Sequence, residues 1–389
     1  MRSFASRAVL AVAVTLLATT AGAQSVKVGI VGPFSGPFAH YGKLFKDGAE
    51  AYIASQGGKL AGRGIEFVYR DTGGPNPAGA HALARELIAR DKVDYLGGFA
   101  FAPNAAAVAP LIQESKTPTV IFNAAASDIL PKSDYFVCTA YTQWQVTVPI
   151  AQHAHDKGLR KVATAVMDYP PGVDAERAFR TTFSKLGGQV VESIRMPLRT
   201  ADFAPFAQRI KASGAQAVYV FLPGGPPSLG FVKAYHEHGL RQAGIEFLGT
   251  AETDELDLQK FGDSALGLST AFHYSAAHDS DANRQFVAAL ARQAKDGVAN
   301  HASVGAWDGM HVIHKMIEAT GGKRDGERAI AAAKKLAWES PRGPVRIDPD
   351  TRHVVQDVYL RTVEKDGSGR LVNKEIRSFG PQIDHGLVR

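Results

Sequence analysis

The chain has 389 residues, 45% of them hydrophobic and 21% charged, enough for two domains of ordinary size and typical of a globular protein. Its formal net charge is +6; setting aside Arg2 and Arg7 at the start leaves 42 basic against 38 acidic side chains, or +4, spread evenly, which excludes the basic footprint of a nucleic-acid binder. The single cysteine, Cys138, excludes an intramolecular disulfide, and its short apolar stretch Tyr135–Thr139 marks it as a buried small hydrophobe.

Residues 1–23 read as a secretory signal peptide. Arg2 and Arg7 supply the positive start, Ala8–Ala18 is almost wholly apolar, and Ala21-Gly22-Ala23 fits a small-x-small cleavage site. The apolar run is shorter than the ~18 residues that span a bilayer. Release at Gln24 is therefore expected, with no lipid-bearing cysteine to tether the product.

The mature chain opens with a strand at Val26–Val31, a turn through Gly32-Pro33-Phe34-Ser35-Gly36, and a helix over Gly42–Ser55 carrying Leu44, Phe45, Ala49, Tyr52 and Ile53 on one side. A dinucleotide site is disfavoured here. Gly29, Gly32 and Gly36 do not make G-x-G-x-x-G, and Asp71 lies about twice as far on as the ~20 residues a ribose-binding carboxylate needs. Strands at Ile65–Arg70, Tyr95–Gly97 and Thr119–Phe122 then alternate with helices at Pro77–Arg90 and Asn104–Ser115. A second run repeats the scheme: helices begin at Gln143, Ala175, Phe203 and Pro227, and strands lie at Lys161–Val166, Gln189–Met196, Ala217–Leu222 and Glu246–Gly249. Beyond Leu268–Tyr274 come helices near Asn283–Lys295, Ala306–Ala319 and Asp325–Leu336, then extended segments at Val345–Ile347 and Val354–Thr362. The βαβα rhythm predicts α/β architecture with two parallel-type sheets, each covered on both faces.

Catalytic signatures are absent: no H-E-x-x-H, G-x-S-x-G or Walker Gly-Lys-Ser/Thr occurs. His311 and His314 could share a helix face, but no third ligand joins them, and they read as surface histidines. No metal, cofactor or enzymatic activity is expected.

The opening Gly32-Pro33-Phe34-Ser35-Gly36-Pro37 with Tyr41-Gly42, Gly97-Gly98, Pro118-Thr119-Val120-Ile121, Phe203-Ala204-Pro205-Phe206, and the late Trp338-Glu339-Ser340-Pro341-Arg342-Gly343-Pro344 with Ile347-Asp348-Pro349 form an ordered set. Over nearly the whole mature chain, that set resembles the leucine/isoleucine/valine-type (type 1) periplasmic solute-binding proteins of ABC importers. The resemblance implies two Rossmann-like lobes joined by a three-crossover hinge, with lobe 1 over 24–140 and 275–350 and lobe 2 over 141–274 and 351–389. Crossovers are expected near Ala140–Gln143, Ala271–Ser275 and Asp350–Gln356. It further implies a monomer in the periplasm that captures a small amino acid or organic acid between closing lobes and delivers it to permease and ATPase subunits. A ligand-sensing module for a membrane signalling partner would share the same cleft.

Carried over by position, two hydroxyls that hold the α-carboxylate in amino-acid binders fall on Ala102 and Ala126, and both are missing. Phe101 and Ala124 are taken with them. The second-lobe tyrosine of those binders falls near Gly224, and their ammonium-binding carboxylate near Ala251 or Glu252. Tyr41, Tyr169 and Trp307 remain as aromatic candidates, although Trp307 also begins an apolar stripe with Met310 and His314 that core packing would explain. Alanines within aromatic walls suit a flatter organic acid. Its carboxylate would be held by backbone N–H groups at helix N-termini, with Ser35, Asn104, Asn123 or Ser127 assisting.

Overall fold

A computed structural model describes residues 25–387, so the expected signal peptide lies outside the described residues. The first lobe is built on six strands, β1 (Val26–Gly32), β2 (Lys59–Leu60), β3 (Arg63–Asp71), β4 (Tyr95–Gly98), β5 (Thr119–Ile121) and β6 (Phe136–Cys138), in the order β2-β3-β1-β4-β5-β6. All neighbours are parallel except β2 and β3. The β-branched residues Val28, Ile30, Val31, Val120 and Ile121 are buried, as a sheet covered on both faces requires. Helices α1 (Ala39–Ser55), α2 (Pro77–Ala89) and α3 (Ala102–Ser115) cross between these strands.

The chain then enters the second lobe through α4 (Gln143–Asp156), β7 (Lys161–Met167), α5 (Pro170–Lys185), β8 (Gln189–Met196), α6 (Ala204–Ala212), β9 (Ala217–Phe221), α7 (Pro226–Glu237), β10 (Glu246–Gly249) and β11 (Ser269–Phe272). It returns to the first lobe as α8 (Asp281–Gln293), α9 (His301–Thr320) and α10 (Gly326–Ala333), with α8 and α9 packed on α1. β12 (Ala337–Ser340), β13 (Gly343–Ile347), β14 (Val354–Lys365) and β15 (Leu371–Gln382) close the second sheet, whose order is β12-β13-β14-β11-β10-β9-β7-β8, with β15 also on β14.

Several boundaries differ from the sequence reading for identifiable reasons. α5 starts at Pro170 rather than Ala175, because Pro170 and Pro171 occupy the first helical positions, where a missing N–H costs nothing. α9 starts at His301 rather than Ala306, anchored by an Asn300/Ser303 capping box. The Cys138 stretch is a strand, β6, and burial pushes the thiol up to about 12. β15, a segment with many exposed polar residues, carries no clear alternation and had no sequence counterpart. The assignment of 275–350 wholly to the first lobe is corrected at its end: β13 pairs antiparallel with β14 through Val345–Ile347, which puts β12 and β13 in the second sheet. His311 and His314 are half-buried rather than on the surface, and both lie against the Tyr52 hydroxyl, at 3.3 and 3.0 Å.

Three passages join the two sheets, at 139–142, 273–280 and 334–336 between α10 and β12, the last earlier than the crossover expected near Asp350–Gln356. Arg342, fully buried in the turn between β12 and β13, reaches the first two. Its guanidinium donates to the Thr139 carbonyl at 2.6 Å, contacts His273 Nδ1 at 3.1 Å, and pairs with Asp308 Oδ2 of α9 at 2.6 and 3.0 Å. Burial and the adjacent Arg342 charge hold His273 well below its ordinary value, leaving a neutral acceptor. Farther out, the Ser127 hydroxyl donates to Asp384 at 2.8 Å, tying the end of the described chain to a first-lobe loop.

Asp308→Ala leaves the Arg342 charge buried without its counterion, a change that costs about 3–5 kcal/mol in comparable sites. Urea unfolding of the variant is expected to show a loss of that order; a change under ~1 kcal/mol would mean that the hinge does not depend on the pair.

Candidate functional site

The turns at the carboxyl ends of β1, β4, β5, β7, β9 and β10 all meet between the lobes, where open α/β sheets place ligands. The cleft they form is lined by Tyr41, Ala100, Phe101, Ala102, Asn123, Ala125 and His301 from the first lobe. Tyr141 and Gln143 come from the first crossing and the start of α4, and Tyr169, Pro171, Phe221, Leu222, Pro223, Gly224 and Ala251 from the second lobe. It holds about 410 Å³ of space between atoms, and across it the Tyr41 hydroxyl of the first lobe meets the Gly224 amide of the second. The lobes are shut on the site.

Local structure sets each wall. Phe99 adopts φ +65°, with its N–H on the Val31 carbonyl at 2.7 Å, and this turn delivers Ala100 and Phe101 to the cleft. Phe101 is the N-cap of α3 and provides no side-chain cap; Pro103 has no N–H and the Asn104 N–H donates to the Phe101 carbonyl at 3.1 Å, which leaves the Ala102 N–H as the donor of that helix start available to an anion. Asn123 donates to the Ala100 carbonyl at 3.0 Å, while its buried Oδ1 finds no partner. Tyr41 lies 6.0 Å, ring to ring, from Phe101, and its hydroxyl meets the Gly224 amide of the other lobe. Tyr169 stacks on Phe221 with centroids 6.1 Å apart and planes at 18°. The Gln143 side-chain amide is fully buried and lies beside the Tyr141 hydroxyl, with no other hydrogen-bond partner among the described residues.

The described lining residues include no Asp, Glu, Lys or Arg. Burial raises the phenols of Tyr41, Tyr141 and Tyr169 above their ordinary value, so all three remain protonated donors. His301 is oriented across the lobe boundary, with Nδ1 at 2.7 Å from Asp254 Oδ2, while Asn300 donates to Asp254 Oδ1 at 2.8 Å. Burial raises the Asp254 carboxyl, but the His301 ring and the hydrogen bonds from His301, Asn300 and the Leu256 amide outweigh it, and the group stays below the ordinary carboxylate range.

Of the residues singled out from sequence, Tyr41, Phe101, Ala102, Asn123 and Tyr169 line the cleft, as do Gly224 and Ala251, the positions carried over for the second-lobe tyrosine and carboxylate. The others do not. Ser35 is exposed and its amide donates to Asp71 at 3.2 Å. Asn104 is spent on the Asn76 amide and the Gly74 carbonyl, at 2.8 and 3.0 Å. Trp307 packs edge-on against Tyr52 and Phe286, both at 5.2 Å, between α1, α8 and α9. Ala124 and Ala126 are buried beside the lining residue Ala125; all three are alanines, so with either offset that position of the loop has no hydroxyl. Glu252 sits behind Ala251 and accepts from the Leu222 amide at 2.9 Å and from the Thr250 amide. Ser127, named as an assistant, is bonded to Asp384. Tyr141 and Gln143 were within reach of the sequence, because they fall on the expected first crossover. His301 was not, since its position depends on a contact with Asp254, 47 residues away.

Desolvation raises the Glu252 carboxyl to about 7, against the amides that favour its charged form. A folded value above the ordinary 4.5 means that its stabilising contribution is complete below the unfolded value and is lost as pH rises through about 7, on the order of 3 kcal/mol by pH 8. Glu252→Gln is expected to flatten stability between pH 5 and 8, at the expense of one amide contact. Chemical unfolding at a series of pH values tests this: a variant with the wild-type slope would show that Glu252 does not titrate there.

A family model described as periplasmic binding protein matches residues 25–368. A Leu/Ile/Val-binding protein homolog 6 from Brucella melitensis is 52% identical over 379 residues, 96% of each chain. A Rhodopseudomonas palustris ABC transporter solute-binding protein, solved with 4-hydroxybenzoate, superposes with TM-score 0.91 at 54% identity, covering 94% of this chain and 99% of that one. Another from the same species, solved with 3,4-dihydroxybenzoic acid, gives TM-score 0.89 at 40% identity and covers 93% and 99%. The chain belongs to the periplasmic binding protein family, as a solute-binding component of an ABC importer.

Proposed function

We propose that this protein captures a monocyclic aromatic carboxylate, of the hydroxybenzoate kind, and presents it to a membrane permease whose partner ATPase supplies the energy. One observation carries the reading: the closed cleft offers aromatic walls and neutral donors, and no acidic side chain lines it. An α-amino acid brings an ammonium group that needs a carboxylate, and the residue best placed to supply one, Glu252, is turned to the Leu222 and Thr250 amides. A carboxylate without an ammonium needs only donors. The Ala102 N–H at the start of α3 and the protonated Tyr41, Tyr141 and Tyr169 provide them, and hydrogen bonds to a charged acceptor are worth about 1.5–3 kcal/mol each. The ligands of the related solved proteins support the same class.

Function as a monomer, a leader over 1–23 removed on export to the periplasm, and the absence of turnover complete the proposal. Contacts from both lobes favour the closed form on binding, and the permease would recognise that form.

Thermal unfolding of the chain from Gln24 tests the ligand class. At a hundred times its dissociation constant, 4-hydroxybenzoate, benzoate or 3,4-dihydroxybenzoate is expected to add about 2.7 kcal/mol of stability, with no shift from leucine, isoleucine or valine. A shift from leucine alone would return the site to amino acids.

A further inference from the structure

Outside the cleft lies a second groove that also spans both lobes, with about 1350 Å³ of space open to solvent. Its first-lobe lip carries Pro37, Phe38 and Pro75, and its second-lobe lip Leu198, Arg199 and Pro226. The groove adjoins the inner cleft through one aromatic contact: Phe38 of the outer groove meets Phe101 of the inner wall edge-on, with centroids 5.0 Å apart. Arg199 is exposed and makes no ion pair or hydrogen bond among the described residues. Asp71, under the opposite lip, is engaged by the Phe34, Ser35 and Gly73 amides at 2.7, 3.2 and 2.8 Å.

We infer that this groove is an antechamber for the anionic aromatic ligand: Arg199 on the second-lobe lip attracts the carboxylate while the lobes are apart, and the Pro37-Phe38 lip of the first lobe receives the ring before the second-lobe lip closes over it. The inference rests on the aromatic-carboxylate reading and extends it to a site outside the closed cleft. The charges are complementary: the ligand is an anion, the inner cleft has no lysine or arginine, and Arg199 stands uncompensated at the entrance. A cation so placed raises the association rate and leaves the closed complex, held by inner residues, to set the dissociation rate. The groove's apolar lips suit a ring more than a small hydrophilic anion.

Stopped-flow fluorescence with 4-hydroxybenzoate on the mature protein separates the two rates. Arg199→Glu is expected to lower the association rate at least five-fold at low ionic strength, with the dissociation rate within two-fold of wild type and the difference shrinking as salt is added. Arg199→Gln should fall between the two. Lys185→Glu, at the far end of α5 with the same change in net charge, should leave both rates near wild type. Equal association rates in the Arg199→Glu and Lys185→Glu variants would overturn the antechamber, as would a change confined to dissociation. If the wild-type protein binds no aromatic carboxylate at all, the functional reading and this inference fall together; tight binding with an Arg199→Glu association rate like wild type removes this inference alone.

Discussion

The Arg342 guanidinium is the contact on which the two-lobed architecture turns. A side chain with 0% exposure and a permanent charge is tolerable only where every donor is answered. Thr139 and His273 answer it from the first two passages, and Asp308 from the helix that frames the cleft. Arg361 repeats the device nearby, donating to the Thr250 carbonyl and the Thr270 hydroxyl at 3.0 and 3.1 Å. Both arginines sit where strands of the second sheet meet the crossings. A hinge needs segments that bend, yet their spacing must stay fixed, and a planar fork with five donors can hold several backbone and side-chain acceptors in one place.

With that spacing fixed, the cleft handles charge without ions on its walls. Carboxylates that could have faced a ligand are engaged elsewhere: Glu252 by backbone amides, and Asp254 by Asn300 and His301. The Asp254 contacts cross from one lobe to the other, so they help to tie the lobes together in the closed arrangement. Neutral donors and an uncapped helix start cost less to bury than an arginine would, and they discriminate by geometry. On the proposed function, selectivity between an organic acid and an amino acid follows from what is withheld as much as from what is offered.

The fold was legible because alternation of strand and helix survives in local sequence: β1, β3, β7 and β9 are runs of apolar and β-branched residues with sharp ends. The loops of the site were legible for the same reason, since they are whatever follows those strands. Individual side chains were harder. Ser35 and Asn104 looked available because a polar residue on a ligand-facing loop has no visible partner in one dimension; in the fold, Asp71 and Gly74 claim them. Trp307 was ambiguous between wall and core, and on α9 it packs against rings from α1 and α8. The start of α5 was read late, at Ala175 rather than Pro170, because proline both starts helices and breaks them, and only the conformation that follows decides which.

Cys138 has a practical consequence. Its side chain is wholly enclosed on β6, next to the bridge to His353, and its thiol stays protonated at any ordinary pH. To a thiol-directed dye the folded protein therefore behaves as though it had no cysteine. A single new cysteine on either lip would carry a fluorophore at one defined place, with no native thiol to remove first, and the closing of the lobes would become an optical signal: the scaffold for a reagentless sensor of its own ligand.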